Sequence, residues 1–176
     1  MAPKKQILVV IAVVLATIGI GSDVSVASAQ TAPYSNVNVV SPQQQAAAAV
    51  ASAINSTRVA HGLPVLWWGV RVTGSAHGHN LWMAAYNTLS HQLPGEAPLG
   101  TRISAWGVAW TWVGENVGEN YSMSTAGALQ LEQMMMTEVY PGHRDNILSR
   151  NVFLVGVDVV FDTVHHRLWL TEDFAN

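Results

Sequence analysis

Residues 141–148 read PGHRDNIL and stand between a helical run and a β-branched, aromatic stretch. Pro141 and Gly142 end the run, which we predict to be a helix over 125–140. His143 follows this break, which lets its imidazole turn away from the helix axis. A histidine here can instead cap the end of the helix, where the helix dipole favours a cation. The stretch therefore supplies one candidate site histidine.

Three more side chains complete a set of acids and imidazoles. His91 ends the phrase Leu-Ser-His, Glu115 lies in Val-Gly-Glu-Asn-Val, and Glu138 comes late in the helical run. Two imidazoles and two carboxylates suit a divalent metal site or acid–base chemistry. Because the four residues lie far apart in the sequence, only the fold can bring them together.

The triplet Gly-Glu-Asn occurs twice, so Glu115 has a competitor in Glu119. Two residues four apart on a strand point to the same face of a sheet. We prefer Glu115 because it lies at the end of a strand predicted over 110–117, whereas Glu119 falls in a predicted loop. A solvated carboxylate is the ordinary alternative for Glu119.

The other histidines and most of the tryptophans are predicted to have structural rather than catalytic roles. His77 and His79 are two residues apart, so on a helix they point in different directions and are poorly placed to chelate an ion. We assign both to packing or to the surface. Most of the seven tryptophans are expected to pack between sheet and helices. One or two are expected to line the cleft, where an aromatic wall holds an apolar or sugar ligand.

The N-terminal residues have the composition of a secretory signal peptide. A short basic start precedes an apolar run over 7–21, which is shorter than the roughly 20 residues needed to span a bilayer. Small residues at 27–29 suit a signal peptidase. We therefore predict a signal peptide over 1–29, a linker over 30–45, one domain over 46–176, and a secreted, extracellular protein. The alternative is an uncleaved signal that anchors the protein to a membrane.

The charge balance and the cysteine count exclude several classes of protein. The chain has a formal net charge of −3, and without residues 1–29 its six arginines and ten acids give −4, with no lysine. A mildly acidic surface argues against nucleic acid and anionic membranes as partners, because both attract basic patches. The chain has no cysteine, so its fold depends on a hydrophobic core, for which 176 residues are sufficient.

The order of elements predicts an α+β fold. Ser41 followed by Pro42 marks the start of the first helix. Helices are predicted over 42–60, 70–87, 100–106 and 125–140, and strands over 110–117, 151–161 and 166–174. The last two strands form a hairpin. Helices on both faces of a small, mainly antiparallel sheet give a three-layer α/β/α sandwich.

Short phrases in a fixed order carry a resemblance to a known family. They are NxxR at 55–58, HGLP at 61–64, SA at 75–76, HN at 79–80, MA at 83–84, LSH at 89–91, GxRI at 100–103, GENV at 114–117, PGHRxNIL at 141–148, VGV at 155–157 and LTxDF at 170–174. Over residues 46–176 the chain resembles the bacterial secreted branch of the CAP superfamily. This superfamily comprises cysteine-rich secretory proteins, antigen 5 and pathogenesis-related proteins, and its domain is also called SCP.

The resemblance implies a secreted α/β/α sandwich whose central cleft holds two histidines and two acids. The histidines fall on His91 and His143, and the first acid falls on Glu115. The second acid falls on Glu138, where Met135-x-x-Glu138 replaces the Trp-x-x-Glu frequent in the family. The family's disulfide pattern does not carry over, because the chain lacks cysteine.

The candidate residues allow three functions. In the first, His91 and His143 bind a divalent metal, zinc above all, in a binding domain without established catalysis. The resemblance adds a lipid or another small apolar ligand. In the second, a metal-dependent hydrolase of peptides or cell-wall material uses Glu115 or Glu138 as general base toward a metal-bound water. In the third, the four residues form a hydrogen-bonded cluster that stabilises a domain binding an extracellular protein.

Overall fold

A computed structural model of the chain describes residues 40–138 and 142–176. The predicted signal peptide and residues 30–39 of the predicted linker lie outside these residues. The described elements, in chain order, are α1 (Pro42–Ala60), β1 (Trp67–Trp68), α2 (Val70–Tyr86), α3 (Leu99–Ala105), β2 (Val113–Asn120), α4 (Thr125–Thr137), α5 (Gly142–Ile147), β3 (Leu154–Asp162) and β4 (Arg167–Ala175). Within the described ranges, no helix has the length and apolar character needed to cross a bilayer.

The four strands form one sheet in the order β1-β3-β4-β2. β4 is antiparallel to both β2 and β3, while β1 is parallel to β3 over two residues. The predicted mainly antiparallel sheet and the hairpin of β3 and β4 are therefore confirmed. β1 was not predicted, because two residues show no periodicity.

Helices cover both faces of the sheet, as the α/β/α sandwich requires. Alternate residues of β4 point to opposite faces. Leu168, Leu170 and Phe174 pack in one cluster with residues of α1 and α4, whereas Trp169 packs against Met83 of α2. β2, at one end of the sheet, therefore presents neighbouring side chains to different helical layers.

Local capping signals fix the ends of α1 and α2. The Ser41 hydroxyl accepts a hydrogen bond from the Gln44 backbone at 3.2 Å, and the Gln44 side chain accepts one from the Ser41 backbone at 2.9 Å. This capping box starts α1 at Pro42, so the helix includes the last residues of the predicted linker. Asn87 ends α2 in a left-handed conformation, with φ of 46°.

β2 begins three residues later than predicted, because residues 110–112 form other hydrogen bonds. The Trp110 indole donates to the Gly100 carbonyl of α3, and the backbone amides of Thr111 and Trp112 donate to the Asn176 side chain. Strand pairing begins only at Val113. As a result Glu119 lies within β2, so its assignment to a loop was wrong.

The region around Glu138 also differs from the prediction. α4 ends at Thr137, and Glu138 follows it with an extended backbone, so Glu138 does not lie in a helix. The rest of the predicted helix, residues 139–140, lies outside the described residues. His143 lies in α5, a helix of six residues that was not predicted. A helix this short carries too few residues for a recognisable hydrophobic period.

Candidate functional site

His91 and Glu115 form the first half of the cleft. His91 lies in the loop after α2, and its Nδ1 is 2.9 Å from Oε1 of Glu115 on β2. The Glu115 side chain is 3% exposed, whereas the His91 side chain is 58% exposed. Because a carboxylate only accepts hydrogen bonds, the ring donates from Nδ1, and in the neutral ring Nε2 is then the acceptor nitrogen.

Glu138 and His143 form the second half of the cleft. Nδ1 of His143, in the first turn of α5, donates to Oε1 of Glu138. Both side chains are partly exposed, His143 at 26% and Glu138 at 33%. The second pair thus repeats the hydrogen bond of the first, but at the surface of the domain.

The two halves face each other across one open cleft of about 480 Å³. The cleft is lined by His91, Glu115, Glu138, Gly142, His143 and Asn146. The centroids of the two imidazole rings are 6.3 Å apart, and the ring planes are inclined at 44°. The fold therefore brings all four predicted site residues together.

Behind Glu115 lies a cluster of buried charges that sequence reasoning missed. Arg102 of α3 donates from Nη2 to Oε2 of Glu115, and its Nε is 3.6 Å from Oε1 of Glu96. His79 of α2 is fully buried, and its Nδ1 is 2.7 Å from the same oxygen of Glu96. These contacts connect α2, α3 and the loop between them to the first half of the cleft.

Both ring nitrogens of His79 face oxygen atoms. Nδ1 faces the Glu96 carboxyl group, and Nε2 is 2.9 Å from the Ser90 carbonyl oxygen. His79 and Arg102 therefore lie between the carboxyl groups of Glu96 and Glu115, and this pairing offsets part of the cost of burying charge.

These neighbours set the ionisation of two acids, Glu115 and Asp173, that are paired across β2 and β4. Burial acts to raise the pKa of Glu115. The hydrogen bond from His91 and the charges of His79 and Arg102 outweigh burial, so the pKa of Glu115 lies below its ordinary value. Burial, together with the charge of Glu115, raises the pKa of Asp173 well above its ordinary value. Glu115 is therefore the ionised member of the pair.

Glu115 is a poor candidate for a general base. Its Oε1 accepts from His91 and its Oε2 accepts from Arg102, so both oxygens are engaged. Glu138 uses Oε1 for His143, and its side chain is open to solvent. Of the two acids considered for this role, Glu138 is the accessible one.

The second half of the cleft rests on neutral groups on the other face of the sheet. Asn116, next to Glu115 in β2, donates to the His143 carbonyl at 3.2 Å and to Oε2 of Glu172 at 2.9 Å. Glu172 is fully buried, and burial raises its pKa to about 8. At neutral pH this side is therefore supported by hydrogen bonds between uncharged groups.

In the described residues, the cleft lining contains no tryptophan, contrary to expectation. Trp68 and Trp106 instead line a separate groove of about 750 Å³ beside α1 and α2, and Trp169 is fully buried. The cleft forms around β2 from a loop and from helix ends, whereas these tryptophans belong to β1, the end of α3 and β4.

The sequence gives only indirect signals for the buried residues behind Glu115. His79 and Arg102 stand in the phrases HN and GxRI, which contribute to the family resemblance. The assignment of His79 to packing was right about burial but did not find its partner. Glu96 lies in the loop between α2 and α3 and has no local pattern that marks it as buried.

The four site residues do not form a closed metal cage. Across residues 40–138 and 142–176, no three His, Asp or Glu side chains form a group able to enclose a metal ion. Both carboxylates are already bonded to imidazole. The donors that remain are the two Nε2 atoms and Oε2 of Glu138, so solvent or a ligand would have to complete a coordination shell.

A family model and several solved structures match the chain. The model of the cysteine-rich secretory protein family, CAP, matches residues 51–174. An extracellular protein containing an SCP domain from Bacillus anthracis strain Ames is 28% identical with a TM-score of 0.63, and the match covers 76% of this chain and 41% of that one. None of the curated proteins compared with the chain matches it.

Two more distant structures agree in fold. An outer surface protein from Borrelia burgdorferi is 14% identical with a TM-score of 0.66, over 76% of this chain and 93% of that one. A cysteine-rich secretory protein from Staphylococcus aureus subsp. aureus Mu50 is 20% identical with a TM-score of 0.57, over 77% and 40%. The chain thus spans about two fifths of the length of the Bacillus and Staphylococcus proteins.

Proposed function

The chain belongs to the CAP family of cysteine-rich secretory proteins, and we propose that it is a secreted domain that binds a divalent metal ion, zinc above all, through His91 and His143. One observation carries the proposal. Each imidazole is held at Nδ1 by a carboxylate, Glu115 or Glu138, which leaves Nε2 as the acceptor. Histidine ligands of metals commonly have such a carboxylate partner, which fixes the tautomer and raises the basicity of the ring.

The two rings must move closer to share one zinc ion. With Zn–N bonds of about 2.0–2.1 Å, an ion lies roughly 3.2 Å from the centroid of each imidazole, so tetrahedral coordination places the centroids about 5.2 Å apart. The observed separation is 6.3 Å. The His91 side chain is 58% exposed and has room to approach His143 by the remaining distance.

The chain's own residues supply position and charge in this proposal. Glu115 holds the His91 ring and is itself kept ionised by the buried cluster, while Glu138 holds the His143 ring at the surface. A bound metal would act as a Lewis acid toward a ligand in its open positions.

Zinc titration by calorimetry and by thermal unfolding tests the metal site. We expect the unfolding midpoint of the parent protein to rise with zinc concentration, because the folded state binds the ion. The double variant His91→Ala, His143→Ala should lose both the heat of binding and this rise. His166→Asn is the matched control, since His166 is exposed in the β3–β4 turn with φ of 54°, which asparagine tolerates. Equal binding by the double variant would exclude the site.

Secretion is a separate part of the proposal. The predicted signal peptide supports it, and one structural relative is described as extracellular. Expression of the full chain in a bacterial host should release a protein whose N-terminal residue is Gln30. Retention of residues 1–29 in the membrane fraction would instead support the uncleaved anchor.

We further propose that the groove at Trp68 and Trp106 takes a lipid or another small apolar ligand. Its volume of about 750 Å³ lies in the range of ligand pockets, roughly 300–1,000 Å³. A brominated fatty acid should quench tryptophan fluorescence, and Trp106→Phe should reduce this quenching. Trp110→Phe is the control, since Trp110 is outside the groove lining. Equal quenching in both variants would exclude the groove.

A further inference from the structure

Two neighbouring residues of β2 support the two halves of the cleft from opposite faces of the sheet. Glu115 binds the His91 ring on the face covered by α2. Asn116 points the other way and donates to the His143 backbone carbonyl in α5. A two-residue segment of one strand is therefore in contact with both halves, and the link to His143 passes through an amide side chain.

Asn146 completes this link. It lies one turn after His143 in α5, and its Nδ2 donates to the Glu115 carbonyl at 3.1 Å and to Oδ1 of Asn116 at 2.8 Å. Room for the side chain comes from Gly114, because a Cβ at this position would lie 2.7 Å from Oδ1 of Asn146. The Asn146 side chain therefore fits against β2 because Gly114 has no side chain.

The hydrogen bonds fix the orientation of both amides. Each Nδ2 carries two hydrogens, and each hydrogen has one acceptor: the His143 carbonyl and Glu172 for Asn116, and the Glu115 carbonyl and Asn116 for Asn146. Rotating the Asn116 amide by half a turn would place its oxygen against the His143 carbonyl and its nitrogen against Nδ2 of Asn146, itself a donor. The pair therefore has one satisfied arrangement.

In the described part of the chain, the first turn of α5 has few contacts besides these amides and the bond between the His143 ring and Glu138. A helix of six residues is too short to be stable alone, and Ile147, its buried residue, lies at its last position. His143 lies at the opposite end, where the bond from Asn116 joins its backbone to the sheet. Glu138 therefore orients the His143 ring, and the two amides position the backbone that carries it.

We propose that Asn116 and Asn146 are positioning residues that set the separation of the His91 and His143 rings. The proposal rests on the proposed metal site for its functional consequence. The two amides hold α5 at a fixed distance from β2, and β2 in turn holds His91 through Glu115. Neither amide is required as a ligand.

Asn146→Ala tests the proposal, with Asn55→Ala as the matched control. Asn55 of α1 also makes two amide hydrogen bonds to backbone, at 3.1 and 2.8 Å to Leu66, but far from the cleft in the sequence and on another helix. In the metal-free protein, proton NMR should show an Overhauser contact between the His91 and His143 rings for the parent and Asn55→Ala. Asn146→Ala should lose it.

The metal provides a second measurement. Zinc affinity should fall about 10- to 100-fold in Asn146→Ala, as for other residues that orient metal ligands, and the visible spectrum of bound Co²⁺ should change. Asn55→Ala should bind zinc like the parent even if its unfolding midpoint falls. A folded Asn146→Ala with the parent's ring contact, zinc affinity and Co²⁺ spectrum would overturn the proposal. A parent that binds no zinc but shows the expected ring contacts would overturn the metal site and leave the positioning role in place.

Discussion

The two halves of the cleft have the same chemical groups and opposite surroundings. In the first, Glu115 is buried and is paired with Arg102, next to the buried pair of Glu96 and His79. In the second, Glu138 and His143 are partly exposed, and the hydrogen bonds beneath them come from neutral amides. The first half is therefore anchored in the buried interior of the domain, whereas the second half lies at its surface.

Within this one site, the buried residues should therefore contribute mainly to the stability of the domain and the partly exposed residues mainly to ligand binding. Removing one member of a buried charge cluster leaves its partners without compensation, which is costly. Removing a member of an exposed pair costs little, because water replaces the lost contact. Substitutions of Glu115 and its buried partners should therefore affect the whole domain, whereas those of Glu138 and His143 should affect binding alone.

Arg102→Met should have the largest effect on stability. Methionine keeps much of the side-chain volume but leaves the Glu115 and Glu96 carboxylates buried without this cation, so we expect a loss of about 3–5 kcal/mol in the free energy of unfolding. Urea denaturation measures it. Arg167→Met removes an arginine from the partly exposed pair with Glu119 and should change stability little. Similar losses in the two variants would show that burial does not make the Arg102 pair more costly to break.

Stability should also depend on pH through Glu172, which supports the second half. Glu172 has an ordinary pKa of 4.5, which applies when the chain is unfolded, and a pKa of about 8 when folded, owing to burial. Between these values the unfolded state has released the proton that the folded state keeps. Stability should therefore fall as pH rises from 4.5 to 8, by up to about 1.4 kcal/mol per pH unit, and level off above.

Glu172→Gln isolates this contribution, because glutamine does not ionise. Urea denaturation of parent and variant at pH 5, 7 and 9 should show an advantage of the variant that grows with pH. Other titrating groups contribute to both proteins and cancel in the difference. A constant difference across this range would show that Glu172 ionises in the fold as it does in water.

Glu138→Gln should have the smallest effect on stability, within about 1 kcal/mol, because the pair with His143 is exposed. Zinc affinity should nevertheless fall, since the ring loses the charged acceptor that holds it. Thermal unfolding without metal and zinc calorimetry measure the two quantities on one sample. A large loss of stability would show that the second half is as firmly built into the domain as the first.

Helix ends could be predicted from the sequence because their signals are local. Ser41 and Pro42 begin α1, and Asn87 adopts the left-handed conformation that ends α2. The start of β2 could not be predicted in this way. Trp110 and Trp112 have the composition of a strand, but the Asn176 side chain, distant in the sequence, accepts hydrogen bonds from the backbone amides of Thr111 and Trp112.

The residues of the candidate site could be predicted from the sequence, but the buried residues that hold them in place could not. His91, Glu115 and His143 stand in recognisable phrases. Arg102 looks like an ordinary helix residue, and its burial depends on acids from two other segments. Such long-range pairing leaves no periodic pattern in the sequence, so the contrast between the two halves became visible only in three dimensions.

The position of β4 has a consequence for how the domain folds. It is the last element in chain order, yet residues 168–175 pair with β2 on one side and with β3 on the other. Within the described residues, β2 has no other strand partner. A chain that emerges from the ribosome or a secretion channel N-terminus first therefore forms no long strand pair from β2 until β4 is free. Completion of the sheet therefore requires β4 to join segments that are distant in sequence, a kind of pairing that is intrinsically slow.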